Sequence, residues 1–279
     1  MINGLIVSKD RASQLRLLLE SISLNAPNLL KEILIIHKSS NEKFAEGYEK
    51  LKAEKILPNI VWQEEVDFIP DFLNALKNCK EKYICGIVDD CIFYKHIASS
   101  TEDIERAIED SNAFCFSFRL GLNTTTQNYL KPDVYVPLRM YNENETFIRW
   151  NWKDWDDRLN YGYPISLDGH IFVAEEISDL SHKFEFEKLR HWEGVVNGNC
   201  RDIVKKDFMV AYKQNVLFSI PSNCVQDPPL VSGAIHAYSE DELNEKYLND
   251  EVIDFRGIQN AFQNVTWSHN EVKYKFKKI

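Results

Sequence analysis

The sequence lacks the features that place a chain in a membrane or on a nucleic acid. Its 279 residues contain no apolar run of about 18 or more, the length that indicates a membrane-spanning helix. Basic residues are in the minority, since 33 Lys and Arg stand against 43 Asp and Glu and give a formal net charge of -10. Binding to a nucleic-acid backbone depends on clustered Lys and Arg. We therefore expect no transmembrane segment and no nucleic-acid partner.

Metal-binding pairs of cysteines are missing as well. The six Cys show no Cys-x-x-Cys spacing, so a zinc site is not indicated. Three of them fall in or beside an apolar run that ends at Asp90, which predicts reduced, buried thiols. The six are Cys79, Cys85, Cys91, Cys115, Cys200 and Cys224.

The first four residues have neither the basic nor the apolar segment of a signal peptide, so the expected compartment is the cytosol. In the closing segment 272–278, Lys residues alternate with apolar ones, which is the period of a half-buried strand with a solvated face. A peripheral position at the inner face of a membrane is the weaker alternative for these lysines, because one short basic face does not anchor a protein stably.

Short apolar runs alternate with amphipathic helical patterns in the first part of the chain. The runs lie at 4–8, 33–36, 60–62, 83–88 and 113–118, and the first is followed by apolar residues at helical spacing from Leu15 to Ile22. Asp10 and Thr101 are expected to cap the helices that follow them, and Ser239 the last helix. This alternation predicts an α/β fold with a parallel sheet and right-handed crossovers.

The fourth apolar run, Tyr83 to Val88, ends abruptly in Asp89 and Asp90. In open α/β sheets, ligands bind outside the carboxyl ends of the strands. Two acids at that edge are suited to hold a divalent cation against a phosphate. A solvated turn after a buried strand is the alternative.

The stretch 121–164 contains closely spaced aromatic residues without a clear period, among them Trp150, Trp152 and Trp155. A long loop in a compact domain is usually functional or disordered, and so many large aromatics argue against disorder. We weigh two interpretations equally, a small core under the loop and a platform that packs against an acceptor sugar.

Several motifs in this order resemble the GT-A fold of nucleotide-sugar glycosyltransferases, in particular a group of bacterial, family 2-like inverting enzymes. These motifs are Val7-Ser8-Lys9-Asp10-Arg11, Phe72-Leu73-x-Ala75-Leu76, Val88-Asp89-Asp90-x-x-Phe93 and Ser166-Leu167-Asp168-Gly169-His170-Ile171-Phe172. The resemblance implies a mostly parallel twisted sheet flanked by helices in a single domain over 1–279. Residues 1–119 would form the nucleotide-sugar-binding half and 120–279 the acceptor-binding half.

The resemblance also implies a metal site for Mn²⁺ or Mg²⁺. Asp90 is the first expected ligand, with Asp89 beside it and His236 or His269 as additional ligands. The chain departs from the usual Asp-x-Asp motif, because Val88 stands where the first acid is expected. One protein ligand is sufficient if substrate phosphates complete the shell.

The remaining site residues follow from the same resemblance. Glu193 is the preferred catalytic base, ahead of Asp168 and then Glu187. The aromatic stretch itself, rather than the resemblance, suggests Trp150, Trp152 and Trp155 as acceptor-binding residues. The residues expected to bind the nucleotide sugar are Ser8, Lys9, Arg11, His37, Lys38, Asp89, Gly169 and His170.

The predicted function is transfer of a sugar from a nucleotide-diphosphate donor to a glycan or lipid-linked acceptor. One alternative is a sugar-nucleotidyltransferase, which would need a Gly-rich loop after the first strand, whereas residues 8–12 contain no Gly. The other is a catalytically silent nucleotide-sugar-binding protein of the same fold, which sequence does not exclude. The sequence is also compatible with a homo-oligomer.

Overall fold

The computed structural model describes residues 1–125, 141–142, 145–156, 160–223, 238–259 and 273–279. The first part of the chain is a regular alternation of strands and helices, as the sequence predicts. Its elements are β1 (Ile2–Lys9), α1 (Ala12–Asn25), β2 (Ile33–Lys38), α2 (Glu42–Glu54), β3 (Ile60–Glu64), α3 (Phe68–Lys77) and β4 (Tyr83–Val88).

The later elements alternate less regularly. They are β5 (Cys91–Phe93), α4 (Thr101–Asp110), β6 (Ala113–Ser117), β7 (Tyr141–Asn142), β8 (Phe147–Asn151), β9 (His170–Val173), α5 (Ala174–Ser181), α6 (Leu189–Ile203), β10 (Phe208–Tyr212), β11 (Leu217–Ser219), α7 (Glu240–Leu248), β12 (Glu251–Ile253) and β13 (Phe276–Lys278). Short 3₁₀ turns lie at Trp152–Asp154, Asn160–Gly162 and Phe255–Gly257.

Among the described residues, the main sheet has nine strands in the order β3-β2-β1-β4-β9-β6-β10-β8-β7. The neighbours β3, β2, β1 and β4 are parallel, and β9 runs against both β4 and β6. Strand β10 is parallel to β6 and antiparallel to β8. The predicted α/β class with a mostly parallel sheet is thus confirmed, and β8 and β9 run in the opposite direction.

Helices cover both faces of the sheet. Residues of α1, α2, α4 and α7 join one buried cluster, and residues of α3, α5 and α6 join another. The predicted apolar face of α1, from Leu15 to Ile22, is buried, as are Tyr48 and Leu51 of α2. Two smaller pairings, β5 with β11 and β12 with β13, lie outside the main sheet.

Two of the predicted helix caps are wrong. Asp10 has a left-handed backbone with φ 57°, and its carboxylate accepts from the Ser40 backbone N–H at 2.7 Å. It therefore links the loops after β1 and β2, while α1 begins without a side-chain cap. Helix α4 is capped by Ser100, because Ser100 and Asp103 form a reciprocal capping box. The prediction for Ser239 is confirmed, since its hydroxyl accepts from Glu242 N at 3.1 Å.

The described cysteines are free, and Cys85, Cys91, Cys115 and Cys200 are buried, as the sequence predicts, whereas Cys79 is only half-buried. Cys224 lies outside the described residues. No helix in the described part of the chain is long and apolar enough to cross a membrane.

Candidate active site

The two acids after β4 lie against an arginine from the loop between β1 and α1. Arg11 Nη1 is 3.0 Å from Asp89 Oδ1 and 3.3 Å from Asp90 Oδ2. The three side chains are largely buried, with exposed fractions of 11% for Arg11, 4% for Asp89 and 13% for Asp90. They lie together because β1 and β4 are adjacent parallel strands that end at the same edge. The alternative of a solvated turn is therefore wrong, because the two acids form a largely buried ion-pair group with Arg11.

Asp89 is held from a second side. Ser8, at the end of β1, donates from its hydroxyl to Asp89 Oδ2 at 2.8 Å. Burial raises the pKa of Asp89, whereas the charge and hydrogen bonds of Arg11 and the Ser8 bond lower it. Because both carboxylate oxygens have partners, Asp89 is fixed in one orientation.

A second ion pair comes from β6 and β9. Arg119 follows β6 and is 2% exposed, and its Nη1 lies 2.8 Å from Asp168 Oδ2. Since β9 runs against β4 and β6, its first residues stand at the edge where those two strands end. The antiparallel direction of β9 thus places Asp168 at the same edge of the sheet as Asp90.

Glu193 completes the group from α6. Its Oε1 accepts the backbone N–H of Leu167 at 2.8 Å. Burial, followed by the charge of Asp168, raises the pKa of Glu193 to about 7. The pKa of Asp90 also rises to about 7, chiefly through burial, with the charges of Asp89 and Asp168 adding to it and Arg11 opposing it. We call Asp89, Asp90, Asp168 and Glu193, with Arg11 and Arg119, the carboxylate cluster.

Gly169 and His170 support this edge of the sheet. Gly169 has φ +77°, and a Cβ there would come within 2.9 Å of Leu217 Cδ1, so the position requires glycine. His170 has no exposed surface, and its Nδ1 lies 2.9 Å from the Pro164 carbonyl oxygen. Burial lowers the pKa of His170 to about 3. The assignment of His170 to the nucleotide sugar is corrected, because a fully buried neutral ring has no face for a ligand.

The residues at the end of β2 lie beside the carboxylate cluster. His37 is 4% exposed, stacks on Tyr48 at 4.6 Å between ring centroids, and has no hydrogen-bond partner for either ring nitrogen among the described residues. Burial lowers its pKa. Lys38 forms an ion pair with Glu65 at 2.8 Å, so its ammonium is directed toward the segment after β3. Lys9, the last residue of β1, is half-buried.

The three tryptophans do not form a common platform. Trp150 is 0% and Trp152 1% exposed, and both belong to the buried cluster under α5 and α6. Their indole N–H groups donate to Tyr161 O and Lys206 O. An acceptor sugar has no access to either ring, so the assignment of these two residues is corrected to packing. Trp155 is half-buried, and part of its side chain is exposed to solvent.

The other predicted site residues are either exposed or outside the described residues. Glu187 is exposed in the segment before α6, and its backbone N–H donates to His191 Nδ1 at 3.3 Å. Its role as a base stays a prediction, and its exposed carboxylate contrasts with that of Glu193, which accepts the Leu167 N–H. His236 and His269 lie outside the described residues. Within the described ranges, no group of three or more His, Cys, Asp or Glu side chains is placed to hold a metal.

Two arginine contacts were not predicted from the sequence. Arg119 follows an apolar run at the same edge as the acids, and a basic residue in that place is the signal that would have identified it. Arg11 was assigned to the nucleotide, but its bonds to Asn223 join positions 212 residues apart. No local pattern predicts such a contact.

No model of a known protein family matches the sequence, and no curated protein sequence matches it. Among solved structures, S. aureus TarS is similar with 14% identity and a TM-score of 0.46 over 76% of this chain. A 1–349 form of TarS has 12% identity and a TM-score of 0.49 over 79%. This chain covers 35% of the first of these chains and 61% of the second.

Two further structures are similar in fold. A 4-diphosphocytidyl-2C-methyl-D-erythritol synthase from Anaerococcus prevotii has 12% identity and a TM-score of 0.40, covering 88% of this chain and 96% of its own. The mannosyltransferase PcManGT from Pyrobaculum calidifontis, in complex with GDP-Man and Mn²⁺, has 11% identity and a TM-score of 0.31. The match covers 46% of this chain and 41% of the mannosyltransferase chain. All these TM-scores lie below 0.5, so a function has to be argued from the residues of this chain.

Proposed function

We propose that the chain is a glycosyltransferase that moves a sugar from a nucleotide-diphosphate donor to a hydroxyl of a glycan or lipid-linked acceptor, with inversion. The observation that carries the proposal is the carboxylate cluster at the carboxyl edge of the sheet. It combines the Glu193 carboxyl group, with a pKa of about 7, and two largely buried arginines, Arg11 and Arg119. Ligands of open α/β sheets bind at this edge. Residues 1–119 would bind the donor and 120–279 the acceptor.

Glu193 is proposed as the base that removes the proton of the acceptor hydroxyl. A general base works best with a pKa near the operating pH, and Glu193 meets this condition. The Leu167 N–H holds one of its oxygens and so fixes the direction of the carboxylate. Asp168 is paired with Arg119, which suits it better to holding a substrate group in place than to accepting a proton.

The charges of the cluster fit a divalent cation. Four acidic side chains lie near two arginines, and a doubly charged ion would offset the excess of acid. Asp90 would hold it, because Arg11 and Ser8 already occupy the two oxygens of Asp89, while Arg11 lies farther from Asp90, at 3.3 Å from Oδ2. With one or two protein carboxylates, Mg²⁺ or Mn²⁺ takes its other ligands from water and substrate phosphates. When bound, such an ion supplies positive charge to the leaving diphosphate.

A thermal-shift screen of nucleoside diphosphates and nucleotide sugars, with Mn²⁺ or with EDTA, tests the proposal. A nucleotide sugar should raise the melting temperature, and the rise should be larger with Mn²⁺. Stabilisation that is equal in EDTA would contradict the cation, and stabilisation by no nucleotide would contradict the donor. Binding without turnover would instead identify a catalytically silent nucleotide-sugar-binding protein.

A further inference from the structure

Tyr48 joins the carboxylate cluster from α2, although its ring belongs to the core. The side chain is 0% exposed and stacks on His37. Its hydroxyl oxygen lies 2.7 Å from Ser8 Oγ and accepts the backbone N–H of Arg11 at 3.2 Å. One phenol therefore contacts both residues that hold Asp89.

The hydrogen bonds around this phenol have a defined direction. Ser8 has a single hydroxyl proton, and it donates that proton to Asp89 Oδ2 at 2.8 Å. Tyr48 must then donate to Ser8, and its oxygen remains the acceptor for Arg11 N–H. Burial, followed by the charge of Asp89, raises the pKa of Tyr48, which keeps the phenol protonated. The result is a chain of donors from Tyr48 through Ser8 to Asp89.

The same chain fixes the guanidinium of Arg11. The Arg11 backbone is bound to Tyr48, and its Nη1 is bound to Asp89 and Asp90. On its other side, Nε donates to Asn223 Oδ1 at 2.8 Å and Nη2 donates to the Asn223 carbonyl oxygen. Loss of the Tyr48 hydroxyl would leave Ser8 Oγ and Arg11 N–H without this partner at a buried site, which is costly.

We propose that Tyr48 is a positioning residue, whose hydroxyl holds Ser8, Asp89 and the Arg11 backbone in the arrangement that receives the donor diphosphate. The inference rests on the proposed function for the identity of the ligand. Burial alone would require only one hydrogen bond to the Tyr48 hydroxyl. The hydroxyl instead contacts both Ser8 and the Arg11 backbone, which is why we assign it a positioning role. The role differs from that of Asp90 and Glu193, because Tyr48 acts through its neighbours.

Tyr48→Phe tests the inference, because it removes the hydroxyl and keeps the ring that stacks on His37. Tyr247→Phe is the matched control: Tyr247 is also 0% exposed, and its hydroxyl donates to Glu54 Oε1 at 2.5 Å, away from the cluster. Calorimetry with ADP, CDP, GDP, TDP and UDP should show about tenfold weaker binding of the preferred diphosphate to Tyr48→Phe. Tyr247→Phe should bind it like the wild type.

A second measurement does not need a nucleotide. Hydrogen exchange at the Arg11 backbone N–H and Nε–H, followed by NMR, should become faster in Tyr48→Phe and remain unchanged in Tyr247→Phe. Equal exchange at Arg11 in the two variants, or equal diphosphate affinity, would overturn the positioning role. A wild-type chain that binds no diphosphate, with Arg11 exchange still faster in Tyr48→Phe alone, would overturn the proposed function and keep Tyr48 as the residue that holds Arg11.

Discussion

Glu193 and Glu187 show how environment decides the chemistry of a carboxyl group. They lie six residues apart in the sequence, yet Glu193 is directed into the carboxylate cluster while Glu187 is exposed to solvent. Burial and the charge of Asp168 raise the pKa of Glu193. The pair therefore provides a test with its own control.

Glu193→Gln should lower turnover by about 10²–10⁴-fold, because the amide does not accept the acceptor proton. Steady-state kinetics should show little change in donor affinity, since the substitution keeps the shape of the side chain. Glu187→Gln should retain wild-type turnover. Asp168→Asn with lost turnover and intact donor affinity, beside a fully active Glu193→Gln, would reverse the assignment of the base.

The pH dependence of turnover should follow the ionisation of Glu193. The base is active when deprotonated, so the rate should rise with pH through about 7. Asp168→Asn should move the midpoint to lower pH, because the negative charge of Asp168 contributes to the raised pKa. A midpoint near the ordinary glutamate pKa of 4.5 in the wild type would contradict this environment.

The same shift has a consequence for stability. Between pH 4.5 and about 7, the folded chain holds a proton on Glu193 that the unfolded chain has released. The free energy of unfolding contributed by this group therefore falls as pH rises through that window. Urea unfolding of Glu193→Gln should show a weaker decrease over the window, and an identical pH dependence in both proteins would count against the shift.

Among the elements, the first three β-α units were predictable because their apolar residues repeat within a few positions of one another. The residues of β9 are apolar and typical of a strand, but they do not indicate that it runs in the reverse direction, since its direction is set by pairing with β4 and β6. That reversal places Asp168 in the site. Likewise, the spacing of Trp150 and Trp152 indicated an aromatic group without indicating which way it faced.

Gly169→Ala should lower the free energy of unfolding by about 1–3 kcal/mol, because a Cβ is strained at φ +77° and meets Leu217 at 2.9 Å. Gly198→Ala is the control in α6, where a Cβ has no heavy atom within 4 Å. It should raise stability by about 0.5–1 kcal/mol through helix propensity. Denaturant titration measures both, and equal effects would contradict the geometry at Gly169.

Trp150→Ala should cost about 3–5 kcal/mol, because a fully buried indole and its bond to Tyr161 O are lost. Trp155→Ala should cost clearly less, since that ring is half-buried. Thermal and urea unfolding provide the comparison. If Trp150→Ala has unchanged stability and binds the acceptor more weakly, Trp150 contacts the acceptor, contrary to what its burial indicates.

At the scale of the whole molecule, the carboxylate cluster is assembled from both parts of the chain. Arg11 and the two acids come from β1 and β4, whereas Arg119, Asp168 and Glu193 come from β6, β9 and α6. The sequence identified the acids, because Asp89, Asp90 and Asp168 follow or precede an apolar run and the family resemblance pointed to Glu193. The ion pairs of Arg11 and Arg119 with these acids were found only in the folded chain, since the paired residues are 78 and 49 positions apart.

The most direct test of the central claim is to identify which bond of a nucleotide sugar is broken. Phosphorus NMR of a donor incubated with the chain and a glycan acceptor should show the donor signals replaced by those of a nucleoside diphosphate. Transfer of the sugar leaves the two phosphates joined, and Glu193→Gln should slow this conversion. The appearance of nucleoside monophosphate and sugar phosphate, or of pyrophosphate from a nucleoside triphosphate and a sugar phosphate, would contradict sugar transfer.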